Sequence, residues 1–199
     1  MLTRLLSALI VFPLLLRYRM SPNHRLFKRM AETISVIPGN LGLQVRSRFY
    51  RNTLKKCGER TEFGFGTILN YPDISIGKEV SFGRYCQIGL VDFGDYVLVA
   101  SLCQFLSGRH THEFGDLQAP IRHQPSTRTR ITVGNDVWVG SGAIVMASIG
   151  DGAVIGAGSV VTRPVEPWHV VAGNPARPIS RRGREQDAAD ARAPSGSAP

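Results

Sequence analysis

Ile74-Ser75-Ile76-Gly77, Val80-Ser81-Phe82-Gly83 and Cys86-Gln87-Ile88-Gly89 follow one another at a spacing of six residues, and that spacing decides the fold. A helix would bring apolar residues round about every 3.6 positions and a half-buried strand about every 2, so six fits neither. After one shorter step the series goes on through Val91-Asp92-Phe93-Gly94, Val97-Leu98-Val99-Ala100 and Cys103-Gln104-Phe105-Leu106. It stops at Ser107 and resumes at Ile131-Thr132-Val133-Gly134, Val137-Trp138-Val139-Gly140 and Ala143-Ile144-Val145-Met146. It continues through Ile149-Gly150, Ala153-Val154-Ile155-Gly156 and Ser159-Val160-Val161-Thr162. Phe63-Gly64 and Leu69-Asn70 read as an irregular opening coil.

A repeat this short is the mark of a solenoid. Each short strand sends an aliphatic side chain inward, with a small residue two positions before it and Gly or a polar residue at the corner. Glycine at a corner supplies a dihedral that other residues resist. Three such faces close a triangular coil of about 18 residues, and stacked coils bury a column of side chains. The fold class is therefore all-β, a parallel β-helix of hexapeptide repeats with an N-terminal helical segment. Between Val145 and Ile155 the step lacks about two residues, which calls for one tightened corner. Over residues 107–130 the repeat gives way to a polar stretch bearing His and Arg. A loop longer than about 15 residues inside a compact repeat is usually functional.

Three regions follow. Residues 1–56 read as helical and basic, with breaks at Pro22-Asn23 and Pro38-Gly39. Residues 57–180 form the β-helix with its excursion at 107–130. Residues 181–199, mostly Asp, Ala, Arg, Pro, Ser and Gly from Glu185 onward, are expected to be disordered. Residues 5–16 are almost unbroken apolar, preceded by Arg4 and followed by Arg17 and Arg19. That run is shorter than the ~20 residues of a spanning helix. It also lacks a small-x-small cleavage site, being followed by Arg17-Tyr18-Arg19-Met20. Two readings stay open: a helix on a membrane interface, giving peripheral association at the inner face of the cell membrane, or a helix covering the end of the solenoid.

With 24 Lys and Arg against 15 Asp and Glu, the net charge of +9 calls for an acidic partner: a membrane surface, a nucleic acid or a phosphate-rich small molecule. No nucleic-acid motif or aromatic stacking platform accompanies it, which sets nucleic acid aside. Cys57, Cys86 and Cys103 form no CxxC pair, in keeping with reduced thiols in the cytoplasm. Cys86 and Cys103 fall at repeat positions, where a small apolar side chain is buried.

Ile131-Thr132-Val133-Gly134-Asn135-Asp136-Val137-Trp138-Val139-Gly140, Ile155-Gly156-Ala157-Gly158-Ser159-Val160-Val161-Thr162-Arg163 and Val171-Ala172-Gly173-Asn174-Pro175-Ala176-Arg177 resemble the hexapeptide-repeat acyltransferase family. The flavour is that of the sugar and polysaccharide O-acetyltransferases, with galactoside and maltose acetyltransferases as relatives. The resemblance covers about residues 60–180 and is strongest in its second half. It implies a left-handed β-helix, a homotrimer with active sites between subunits, acetyl-CoA as acyl donor and no metal. The implied reaction moves an acetyl group to a hydroxyl of a sugar or polysaccharide precursor. An amino sugar or a small hydroxylated or amine-bearing compound is the alternative acceptor. The basic, apolar N-terminus tilts the reading toward a sugar on a nucleotide or lipid carrier.

In that family a loop histidine is the general base. Aligning Gly94-Asp95-Tyr96-Val97-Leu98-Val99-Ala100 with the equivalent family segment places His110 there, with Glu113 and Asp116 as candidates to hold it. Imidazole suits the task, since its near-neutral pKa lets it take a proton and return it. His112, in Ser107-Gly108-Arg109-His110-Thr111-His112, is the rival. Galactoside-type relatives position the acceptor with an asparagine. The matching stretch Phe82-Gly83-Arg84-Tyr85-Cys86-Gln87 has none, leaving Arg84 or Tyr85 for substrate binding. For coenzyme A, Trp138, Ser141, Ala157, Thr162, Arg163 and Arg177 match by position, the two arginines suiting phosphates. His24, His123 and His169 read as solvated side chains. Two other classes compete. A zinc site of His110, His112 and His123 lacks the regular-coil pattern of left-handed β-helix carbonic anhydrases. A non-catalytic scaffold or binding module gives no reason for the His-bearing loop.

Overall fold

The computed structural model describes residues 2–109 and 111–183. Three helices come first: α1 (Leu2–Met20), α2 (His24–Ser35) and α3 (Gly39–Thr53). The breaks fall where proline and asparagine put them. Asn23 caps α2, its side-chain oxygen accepting from the Leu26 N–H at 2.8 Å, and Pro38 stands at the N-cap of α3. Phe27, Met30, Ala31 and Ile34 recur at helical spacing and turn one face of α2 inward. Val45, Phe49 and Tyr50 do the same for α3.

The solenoid follows as short strands, each one side of a triangle. The first face stacks β1 (Lys56–Cys57), β4 (Ser75–Ile76), β7 (Val91–Phe93) and β10 (Ile131–Val133). The second stacks β2 (Glu62–Phe63), β5 (Ser81–Phe82), β8 (Leu98–Val99), β11 (Trp138–Val139), β13 (Val154–Ile155), β15 (His169–Ala172) and β16 (Arg177–Arg181). The third stacks β3 (Ile68–Leu69), β6 (Gln87–Ile88), β9 (Gln104–Phe105), β12 (Ile144–Val145) and β14 (Val160–Val161). All pairings are parallel except β15 with β16. The six-residue register is visible in Phe63, Phe82, Val99, Val139, Ile155 and Val171, which pair in one inward-facing row. The tightened step is also there. Ile149 meets Val133 and Val165 only as a single-residue bridge, so the missing residues come out of the first face.

Glycine's part in the corners differs from the expectation. Gly77, Gly83, Gly94, Gly134 and Gly140, which follow the strands, do not adopt a left-handed backbone. They are needed for room: a Cβ on Gly140 would lie 2.5 Å from the Ala157 amide nitrogen of the next coil. The left-handed dihedral falls two residues later, where Glu79 (φ 55°), Tyr85 (φ 58°), Tyr96 (φ 60°) and Asp136 (φ 54°) adopt it beside Gly142 and Gly158. Side chains also tie coil to coil. Asp151 Oδ1 accepts from the Asn135 N–H at 2.6 Å, and Asn135 Oδ1 from the Asp95 N–H at 2.8 Å.

The helices close the first coil. A string of aromatic contacts runs from Phe27 through Phe49 and Tyr50 to Phe63, Phe82, Phe93 and Phe105. Arg46 on α3 is buried beside it. Its Nε donates to Phe63 O at 2.8 Å and its Nη1 to Ile37 O at 2.8 Å, with Ser35 O at 3.3 Å and Ile34 O at 3.4 Å. These acceptors include the carbonyls at the end of α2, where the helix dipole favours a cation. Cys86 and Cys103 are fully buried, their thiols donating to Ala100 O and Gly140 O at 3.2 Å each. At the far end, Arg181 closes β16 and Arg182 pairs with Asp136 at 2.9 Å. The boundary read at 181 therefore falls inside folded chain, and residues 184–199 lie outside the described residues.

Candidate active site

The excursion leaves the third face after β9 and returns at β10. Its neck is closed by the Thr129 N–H donating to Ser107 O at 2.9 Å. Arg130 clamps the return, pairing with Asp73 at 2.7 Å and Asp92 at 2.9 Å. Inside the loop the Glu113 N–H donates to Pro125 O, and the Gln124 amide donates to Asp116 O and Ala119 O. Asp116 Oδ1 accepts from the Gln118 N–H at 2.8 Å, so that carboxylate holds the loop's own turn. His110 lies outside the described residues. His112 is exposed on the loop, as is His123 in the single 3-10 turn Ile121–His123.

Against the foot of this loop lies a cavity of about 340 Å³. The loop contributes Ser107, Thr111 and Arg128. The first coils contribute Asn70, Tyr71 and Gln87, and α2 contributes His24 and Lys28. The His24 ring stacks on Tyr71 at 4.9 Å between centroids. Among the described lining residues, Lys28 and Arg128 bring positive charge and none is acidic. Sequence reasoning missed His24, Lys28, Asn70, Tyr71, Gln87 and Arg128. Only docking of α2 onto the coils brings them together, and no local motif announces it.

The residues matched to coenzyme A fall into separate groups. Arg163 and Arg177 converge on a cavity of about 190 Å³ at the last coil, joined by Pro164, Glu166, His169 and Pro178. Ser141 and Ala157 stack on the corner between the second and third faces, where the Gly158 N–H donates to Ser141 O at 2.8 Å. At these two levels the corner carries only small side chains, which leaves its backbone bare. Trp138 points outward from β11 between Leu98 and Val154, and Thr162 follows β14 half-buried. Arg84 and Tyr85 stand lower on the Ser141 corner, Tyr85 edge-on to Phe65 at 5.5 Å. The whole third face separates them from the loop, and they do not line its cavity. Among the described residues, no three His, Cys, Asp or Glu side chains gather as a metal site.

No family model matches the chain. A galactoside acetyltransferase solved in complex with coenzyme A superposes with a TM-score of 0.69 at 24% identity, over 85% of this chain and 86% of that one. The galactoside O-acetyltransferase of Escherichia coli is 35% identical over 117 residues, 53% of this chain and 55% of that protein. The chloramphenicol acetyltransferase of Agrobacterium fabrum is 58% identical over 52 residues, 25% of each chain. The chain is a relative of the hexapeptide-repeat acetyltransferases. Its fold class is the left-handed parallel β-helix. The chain spans only a quarter to about half the length of these two curated relatives.

Proposed function

We propose that the chain is an acetyl-CoA-dependent O-acetyltransferase that acetylates a hydroxyl of a sugar or polysaccharide precursor, with His110 as general base. The observation that carries this reading is the loop itself: the segment holding His110 and His112 interrupts the repeat and forms one wall of a polar cavity. His110 takes the proton of the acceptor hydroxyl, and that oxygen attacks the thioester carbonyl. The tetrahedral intermediate collapses, and the departing thiolate recovers the proton from the imidazolium. Asn70 and Gln87 offer amides to sugar hydroxyls. Lys28 and Arg128 suit an acidic group on the acceptor, such as the phosphate of a nucleotide or lipid carrier.

Arg163 and Arg177 hold the coenzyme's phosphates, while Ser141 and Ala157 leave backbone open to its extended arm. Because the loop and the Ser141 corner lie at opposite ends of the third face, a neighbouring copy is the natural source of the second half of each site. Phe114, Leu117 and Ile121, exposed on the loop, are the contacts it would cover. A homotrimer acting in the cytoplasm satisfies this arrangement.

The test is thiol release from acetyl-CoA with a panel of sugars, sugar phosphates and nucleotide sugars, for wild type, His110→Ala and His112→Ala. Acceptor-dependent release that falls about 10²–10⁴-fold in His110→Ala alone is expected. Loss only in His112→Ala moves the base. No release with any acceptor, together with no coenzyme A binding, rejects the class.

A further inference from the structure

The two readings of residues 5–16 describe two faces of one helix. Ser7 and Val11 are buried, and Leu14 and Tyr18 pack half-buried on the same side, where α1 lies on α3 and α2, the helices that meet the first coil. At about 100° per residue, Leu5, Leu9, Phe12, Leu16 and Met20 fall in one stripe on the opposite side. All five are exposed, by 52% to 74%. Single apolar side chains on a surface are ordinary, but five in one helical stripe mark an interaction face.

The rim of that face is cationic. Arg4, Arg17 and Arg19 of α1 are all exposed, and the chain has no acidic residue before Glu32. None of the three forms an ion pair among the described residues. A second copy of the chain would bring the same cations against these, and like charges across a contact oppose it. A bilayer carrying anionic lipid offers the complementary surface. No described helix is long and apolar enough to cross a membrane, so α1 lies along the surface.

We propose that the bare face of α1 docks the protein on an anionic lipid bilayer, its apolar stripe at the headgroup boundary and its cations over the headgroups. The proposal stands on α1 alone and does not depend on the acetyl-transfer reading.

The experiment is flotation of the full chain with vesicles of phosphatidylcholine alone or mixed with phosphatidylglycerol, at low and high salt. Wild type is expected to bind the mixed vesicles at least about tenfold more than the neutral ones, and less as salt rises. Leu9→Ser combined with Phe12→Ser, both exposed, should lose about tenfold in binding while keeping its melting temperature. Arg17→Gln with Arg19→Gln should weaken binding and flatten its salt dependence. Equal binding to both vesicle types, no binding, or indifference to the Leu9 and Phe12 changes overturns the proposal. So does a fall in oligomer mass of the double variant in sedimentation velocity, which would give the face to another copy.

Discussion

The coils formed by β1 to β9 and those from β10 onward share a cross-section and differ in what fills it. The first are packed with Phe63, Phe82, Phe93 and Phe105, continuous with Tyr50 of the helical cap. The later ones hold Val133, Val139, Val145, Ile155 and Val161 and no aromatic core residue. The loop cavity belongs to the aromatic half and the paired arginines to the aliphatic half. The difference teaches a division of labour. On the proposed function, the regular aliphatic stack would offer a uniform groove to the donor, while the irregular half, braced by helices, would shape the acceptor pocket.

The hardest blow to that division falls on Arg46. Burial pulls its guanidinium below the ordinary value, but four carbonyls leave it well provided with acceptors. Arg46→Met should cost about 3 kcal/mol or more in urea unfolding, because several buried carbonyls lose a charged donor and each such bond is worth about 1.5–3 kcal/mol. Arg46→Lys should recover little, because a single ammonium cannot reproduce the spread of the fork. A loss below about 0.5 kcal/mol, the range of surface changes, would mean the cap is not integral to the aromatic half.

At the other end, Arg163→Gln and Arg177→Gln should each weaken coenzyme A binding, leaving the melting temperature in place because both residues are exposed. The loss of a charged hydrogen bond, about 1.5–3 kcal/mol, predicts roughly 10- to 100-fold by calorimetry. Unchanged affinity in both would remove the donor from the aliphatic half.

The smallest effect is alkaline. Burial pushes the Cys57 thiol from its ordinary 9.0 up to about 11, and full burial raises the Tyr50 phenol as well. Each group keeps its proton longer folded than unfolded, so its contribution is complete below the unfolded value. For Cys57 it is lost as pH climbs from about 9 to 11. Hydrogen exchange should show β1 to β3 loosening before β11 to β13 in that window, and Cys57→Ala should blunt the change. Simultaneous loosening would argue that the halves melt as one.

The aliphatic half was readable because the strands' inward positions carry Val or Ile six residues apart, and Ile149 keeps that residue type through a shortened step of four. The helix breaks were readable because Pro22-Asn23 and Pro38-Gly39 act locally. Arg46 was not: a charged residue in a basic segment looks like surface, and its acceptors at Ile34, Ser35, Ile37 and Phe63 meet only after folding. The same holds for His24 against Tyr71, and for Arg182 with Asp136 and Trp168. The strand-following glycines were correctly located but given the wrong reason, since periodicity marks a position without saying whether it needs torsion or room. The base itself rests on the family alignment, as His110 lies outside the described residues.

β16 has a consequence beyond closing the second face. A parallel stack that ended bare at β15 would present an open ladder of peptide groups, onto which another molecule's first coil could add and propagate a fibre. β16 instead runs antiparallel to β15 and carries Pro178, which has no N–H to donate, with Arg177 and Arg181 at its ends. With the cap at one end and this strand at the other, growth along the solenoid axis is discouraged at both. A fold that is periodic by construction thus carries, on its longest face, its own brake on end-to-end polymerisation.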